Sequence, residues 1–365
     1  MEGGIMKKAI VVSLSFHPGH VSHMIASYKQ FEELGFESYY CVSEGFKPYI
    51  PDNSRVIIYG TDKIQNVDVA IFVFPSQNNL LLIRKLKKQG AGIIYIFHEP
   101  LAPMIEYRKA GFSYKYLAKL WVVNQISRLT VKWSDIVFLP SKKAVEFYDA
   151  NPIYSNKNIV YVPLLYDDER TEQLARIQRK YFSYIGTVAA DHSFKEYLQF
   201  VEWAVKENCL PWLNFLIATK SDFDVPQVLV KSSRVVIQKG RPLSNEEINE
   251  NYASTSVVWN AYARTTQSGV LAKSFMFGTP AIVLKKNLSE FVIDGKEVVA
   301  IDDNTSFEEI ERAVLRITSD FEHYSSSARM RFENTFFYRR YNEEMEKVMC
   351  GLSDDRRVSE VSHNS

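Results

Sequence analysis

TTQSGVLAKSFMFGTPAIVLKKNLSEFVIDGKEVVAIDD, Thr265–Asp303, is the stretch on which the fold turns. Its first part reads as a helix over 268–277. Gly278-Thr279-Pro280 ends the helix, and the short runs TPAIVL and EVVAIDD follow as strands. Strands that are apolar throughout, rather than at alternate positions, belong to a parallel sheet covered on both faces. A helix set between such strands is a βαβ unit. Gln267, Ser268 and Gly269 stand where strand and loop become helix, a place where backbone N–H groups can hold a diphosphate and where a glycine permits close approach. An ordinary helix start followed by a Gly-Thr-Pro turn fits the same residues.

The pattern extends outward in both directions. Upstream lie KYFSYIGTV, a helix over 194–208, LNFLIATK, RVVIQKGRPL, a helix near 245–253 and SVVWNAY. The amino-terminal half runs KKAIVVSLSF, a helix over 19–34, ESYYCVS, VDVAIFVFP, a helix over 79–89, GIIYIFHEP, a long helix from about 107 to 133, SDIVFLPS and NIVYVPLL. The expected fold is α/β: two Rossmann-like βαβ domains, 1–166 and 180–335, joined by a polar linker at 167–179, with both sheets' carboxyl ends facing a central cleft. A helix over 336–350 is expected to pack back on the first domain, ahead of a polar, disordered tail at 353–365.

Composition narrows the function. The 365 residues are 46% hydrophobic and 24% charged, which excludes a disordered or collagen-like chain. Forty-four basic and 43 acidic side chains leave a formal charge of +1, without the general electrostatic pull of a nucleic-acid binder. Cys41, Cys209 and Cys350 are far apart and odd in number, so neither a disulfide framework nor a metal site is expected, and a reducing, cytoplasmic setting is. The first apolar run is short, lacks a small-residue cleavage site and reads as a strand. No stretch approaches the roughly 18 consecutive apolar residues of a membrane span.

Gly278-Thr279-Pro280, then Ala281-Ile282-Val283-Leu284, then Glu290-Phe291-Val292-Ile293-Asp294-Gly295 resemble, in order and spacing, the donor site of GT-B glycosyltransferases, family four above all. The resemblance runs from about Lys7 to Met349. It departs from family four at two positions, since the glutamate pair that brackets this helix is replaced by Thr265 and Lys273. Thr266-Gln267-Ser268-Gly269 resembles a variant of divergent bacterial members. The resemblance implies a donor site built from these four residues, with Lys273 either exposed on the helix or paired with phosphate. Gly186-Thr187 at a strand end would approach the donor. No arginine follows it as in the family, so Lys195, Lys220 and Arg264 are candidate substitutes for the diphosphate clamp.

In the amino-terminal half, His17-Pro18-Gly19-His20 follows the first strand. Gly19 corresponds to the family's loop glycine, and His17, His20 and His23 are acceptor-side candidates or plain loop histidines. His98-Glu99-Pro100 ends a strand where the family's histidine contacts the transferred sugar, making His98 and Glu99 the catalytic candidates.

The implied reaction moves a sugar from a nucleoside diphosphate sugar to a hydroxyl of a glycan or lipid-linked glycan, with retention, without metal and with no cofactor beyond the donor. The alternatives are a non-catalytic binding subunit of the same fold and a sugar-nucleotide epimerase. The first strand lacks the Gly-x-Gly-x-x-Gly turn of a nicotinamide dehydrogenase. Residues 105–133 hold six Lys/Arg against one Glu among Tyr107, Tyr114, Tyr116, Trp121 and Trp133. That mixture suits either an anionic membrane surface, on the inner face of the plasma membrane, or a core helix with a solvated basic side.

Overall fold

The computed structural model describes residues 7–363 apart from 110, 155–157 and 190, with backbone alone for 18 and 353–363. The chain forms two compact units. Unit 1 takes in Met1–Met104, Ser113–Asp167 and Phe336–Ser365, and unit 2 takes in Ile105–Phe112 and Asp168–Thr335.

Unit 1 is built on seven strands: β1 (Lys8–Ser13), β2 (Glu37–Val42), β3 (Val56–Ile58), β4 (Val69–Phe72), β5 (Gly92–Ile96), β6 (Ile136–Leu139) and β7 (Asn158–Tyr161). All pair in parallel, in the order β3-β2-β1-β4-β5-β6-β7. Its helices are α1 (Val21–Glu33), α2 (Gln77–Lys88), α4 (Tyr114–Trp133) and α5 (Lys142–Asp149); α3 (Met104–Lys109) lies almost wholly in unit 2. Ala9, Ile10, Val11 and Val12 of β1 are sealed from solvent because helices cover both sides of the sheet. Each fully buried aliphatic side chain of this kind contributes about 1.5–3 kcal/mol.

The long helix expected from 107 to 133 is two helices. Gly111 takes a left-handed conformation at φ +85°, which a residue with a side chain adopts only at a cost, and Ser113 then caps α4 by accepting from the Tyr116 N–H. The short strand β3 was not anticipated. Neither was the last helix of unit 2, Phe321–Thr335, although the one before it, Phe307–Ser319, answers a helical reading of 307–317.

Unit 2 carries β8 (Tyr181–Ile185), β9 (Asn214–Ala218), β10 (Val235–Gln238), β11 (Thr255–Trp259), β12 (Ala281–Leu284) and β13 (Val298–Ile301), parallel in the order β10-β9-β8-β11-β12-β13. Around them are α6 (Glu172–Ala175), α7 (Phe194–Lys206), α8 (Gln227–Val230), α9 (Asn245–Ala253), α10 (Gly269–Met276), α11 (Phe307–Ser319) and α12 (Phe321–Thr335). The chain then returns to unit 1, where Tyr166 and Phe337 form a parallel bridge and Gln30 donates to the Tyr338 carbonyl at 3.3 Å. The last helix, α13 (Asn342–His363), takes in all but two residues of the stretch read as a tail.

Both sheets reverse strand order beside their first strand, at β1/β4 and at β8/β11. Connections leave such a point in opposite directions and open a crevice at the strands' carboxyl ends, where open α/β sheets take their ligands.

Candidate functional site

At the β1/β4 point of unit 1, the loop after β1 passes through His17 into a 3₁₀ turn, Pro18–His20, in which the His20 N–H donates to the His17 carbonyl at 3.0 Å. The His17 and His20 rings stack with centroids 4.5 Å apart, and His20 packs on Phe74, from the loop after β4, at 4.2 Å. Gly19 is exposed, and a side chain there would meet the His17 ring at 3.3 Å, so the glycine keeps the two imidazoles in contact. His98 follows β5 and lies 5.4 Å from His20 and 5.8 Å from His23, centroid to centroid.

Four imidazoles thus lie side by side at this strand end, and the charge state of His98 follows from the packing. Desolvation, reinforced by the nearby His23, pushes His98 down to about 3, so it is a neutral imidazole at physiological pH. His23 Nδ1 lies 3.0 Å from the Leu165 carbonyl, which can only accept, so that nitrogen carries the proton. Nε2 is then left to accept from the Tyr166 hydroxyl at 3.2 Å. His23 is buried and engaged on both nitrogens, hence a support for the ring beside it. The cavity beneath it, about 20 Å³ and lined by Ile71, Phe138 and Val162, has room for a single water and not for a sugar. Glu99 is exposed.

At the β8/β11 point of unit 2, Gly186 directly follows β8 at φ +152°, and a Cβ on it would touch the Tyr262 hydroxyl and Val270 at 3.5 Å. The Thr187 carbonyl accepts from the Tyr184 hydroxyl at 2.7 Å and from His192 Nδ1 at 2.6 Å, which fixes the loop after β8. His192 stacks flat on Tyr262, centroids 4.0 Å apart. The Ala263 N–H donates to the Asp191 carbonyl at 2.6 Å, tying the loop after β11 to the loop after β8.

That second loop delivers α10. Ser268 is its N-cap and accepts from the Leu271 N–H, while Asn260 Nδ2 donates to the same hydroxyl at 2.8 Å. Burial holds the Tyr262 phenol protonated. Thr266 and Ser268 are buried, whereas Gln267, Gly269 and Val270 are partly open. The positive end of the helix dipole therefore reaches a partly open surface between buried hydroxyls, an arrangement suited to an anion.

Of the four expected donor cations, two are buried against other partners and two are exposed. Lys273 points into unit 2, its side chain 7% exposed, and its ammonium lies 2.6 Å from Glu169 Oε1. Asn245 and Asn249 donate to the other oxygen of that carboxylate. Burial alone would raise the Glu169 carboxyl, but Lys273 and the two amides override it and hold it below its usual range. Lys273 is thus a buried structural cation, because it sits on the covered side of α10. Arg264 is buried with its guanidinium over the Tyr107 ring at 4.3 Å, donating to the Tyr107 hydroxyl at 3.1 Å. Lys220, at the end of β9, and Lys195, in the first turn of α7, are exposed.

The Gly-Thr-Pro and Asp-Gly stretches do local work. Gly278, at φ +64°, follows α10 where a side chain would collide with Ser325 at 3.0–3.2 Å. The Thr279 hydroxyl donates to the Tyr252 carbonyl at 3.0 Å and accepts from Arg179 at 2.7 Å. Asp294 accepts from the Ala300 N–H at 2.9 Å, and Gly295 turns the chain into β13. Glu290 is partly buried. Asn260, Tyr262 and His192 escaped the sequence reading, although an Asn-x-Tyr directly after an apolar strand is a signal that side chains leave the sheet at a ligand end. For Glu169, in a charged connecting segment, the sequence offers no such signal.

The sequence matches no protein-family model and no curated protein. Among solved structures, the chain superposes on sucrose-phosphate synthase from Thermosynechococcus elongatus with a TM-score of 0.69 at 11% identity, over 96% of this chain and 100% of that one. It superposes on Anabaena HepE, in complex with UDP and glucose, with the same TM-score and identity over 94% and 100%. The fold is GT-B. The pneumococcal O-GlcNAc transferase GtfA, in complex with UDP and GlcNAc, superposes with a TM-score of 0.64 at 11% identity, over 95% and 99%. At such identity the likeness carries the two Rossmann-like units of the GT-B fold, and the chemistry has to be argued from this chain's own residues.

Proposed function

We propose that this GT-B protein is a glycosyltransferase that moves a sugar from a nucleoside diphosphate sugar to a hydroxyl of a glycan or lipid-linked glycan, with retention and without a metal. The observation that carries the reading is the Ser268-capped start of α10 at the strand-reversal point of unit 2, beside the Gly186 strand end. There the helix dipole would stabilise charge building on the departing diphosphate, which is the main demand of the reaction. Thr266, Gln267, Ser268 and Gly269 would hold the diphosphate, with Gly186 and Thr187 bordering the nucleoside. His98 would contact the sugar through a neutral imidazole, able to donate one hydrogen bond and accept another. His17, Gly19 and His20 would border the acceptor. Glu99 is left the lesser role of an exposed neighbour. Lys220 and Lys195 remain the exposed donor-side cations of the four considered, since Arg264 and Lys273 are engaged by Tyr107 and Glu169.

The folds of proteins whose structures hold UDP and a sugar support a uridine nucleotide as the first donor to try. The test incubates the protein with UDP-, GDP- and dTDP-sugars, with and without EDTA, and records thermal stabilisation and nucleoside diphosphate release. Stabilisation by one nucleotide class, with release unaffected by EDTA, is the expected result. No stabilisation by any donor sinks the reading. Stabilisation without release in the presence of glycan acceptors favours a binding subunit instead.

A further inference from the structure

Helix α4 is turned inside out relative to an ordinary surface helix. Its covered positions are Leu117, Asn124, Ser127, Thr130 and Val131, of which three are polar. Its outer side carries Tyr114, Trp121, Val122 and Leu129, at 72%, 57%, 53% and 39% exposure. With Ala118, also exposed, these fall at i, i+4, i+7, i+8 and i+15, a single stripe along the solvent face. A water-facing helix normally presents charge there, so the stripe calls for an apolar occupant.

The surrounding charge identifies the occupant. Arg128 flanks the stripe on one side, Lys115 and Lys119 on the other, and Lys132 continues its line at i+18; all four are exposed, and α4 contains no Asp or Glu. Helix α2 packs against α4 and shares its core cluster on the same side of the sheet. It too lacks acidic residues, and it exposes Leu81 with Arg84, Lys85 and Lys88. In a chain whose formal charge is only +1, this concentration is local. A second copy of the chain laid on the stripe would bring like charges together. An anionic bilayer answers both features, since Trp and Tyr settle at the interface while Lys and Arg reach the headgroups. No described helix is long and apolar enough to cross a membrane, so the contact lies on the surface.

We infer that the outer face of α4, widened by α2, docks unit 1 onto an anionic membrane surface. The inference goes beyond the transfer reaction and stands on separate residues. It also divides the basic aromatic stretch at 105–133: its first part, with Arg108 and Lys109, belongs to unit 2, and the docking face begins at Tyr114.

The test is flotation of the full chain with vesicles of phosphatidylcholine alone and with about one third phosphatidylglycerol, at low and high salt, without nucleotide or acceptor. The protein should float with the anionic vesicles only, and less at high salt. Trp121→Ser with Leu129→Ser should weaken binding about tenfold or more at either salt. Lys115→Glu with Lys119→Glu should remove most of it at low salt. All four positions are exposed, and circular dichroism confirms that the variants fold. Absence of binding to anionic vesicles, or binding that ignores both double variants, overturns the inference. So does a wild-type dimer in sedimentation that Trp121→Ser dissociates while vesicle binding is nil. Because no donor is present, failure here leaves the transfer reading intact, and failure of nucleotide stabilisation leaves this inference intact.

Discussion

At the β1/β4 end of the first sheet stand His17, His20 and His98 with Phe74, ring against ring. At the β8/β11 end of the second stand Thr266, Ser268, Asn260 and Tyr262 around the start of a helix. The strand orders match, yet the furnishing differs. Desolvation keeps His98 neutral, so the first end offers an uncharged donor and acceptor suited to hydroxyls. The second end offers a helix dipole, suited to phosphate. One architecture thus presents two recognition chemistries at equivalent places. The difference lies in which side chains leave the strand ends.

The largest expected effect tests the first end. His98→Ala should lower sugar transfer at least about 100-fold while leaving nucleotide-induced stabilisation at the second end in place. Equal loss of both would erase the division of labour; steady-state rates and thermal shifts with the same donor measure it.

Next is the buried pair beneath the second end. Lys273→Met strands the Glu169 carboxylate and should cost about 3–5 kcal/mol in urea unfolding, with the double variant Lys273→Met and Glu169→Leu regaining most of it. A small loss in the single variant would show Lys273 free to serve the donor after all.

The pH dependence of stability separates the two ends further. His98 is depressed from 6.5 to about 3 in the folded protein, so below pH 6.5 the unfolded chain binds the extra proton. The stability this group contributes is full above about pH 6.5 and falls as pH drops toward 3, by up to about 1.4 kcal/mol per unit. His98→Gln should flatten that acid limb in chemical denaturation, whereas Ser268→Ala should leave its slope unchanged.

The smallest effect concerns the cap itself. Ser268→Ala removes the acceptor of the Leu271 N–H and should cost about 1 kcal/mol of stability. Nucleotide binding should weaken along with it, as read by calorimetry. Unchanged affinity would detach the start of α10 from the donor.

Much of this was legible in the chain. Runs such as AIVV and AIVL, apolar at every position, can be satisfied only by cover on both faces, and their alternation with helical periods leaves a parallel sheet as the outcome. The histidines of the first end were legible as well, since each follows a strand and strand ends converge. The 107–133 stretch misled because its helical period continues across Gly111, and only the left-handed turn there separates α3 from α4.

What the sequence determined by itself was the kind and order of most elements and the places where the chain leaves its sheets, because these follow from local periodicity and turn residues. The tertiary structure alone decided which cations remain available. Lys273 and Arg264 read as ligands for phosphate until Glu169 and Tyr107, distant along the chain, are seen to occupy them. It also decided that the apolar stripe of α4 faces outward. Periodicity says that a helix has two faces, and only packing chooses which of them is covered.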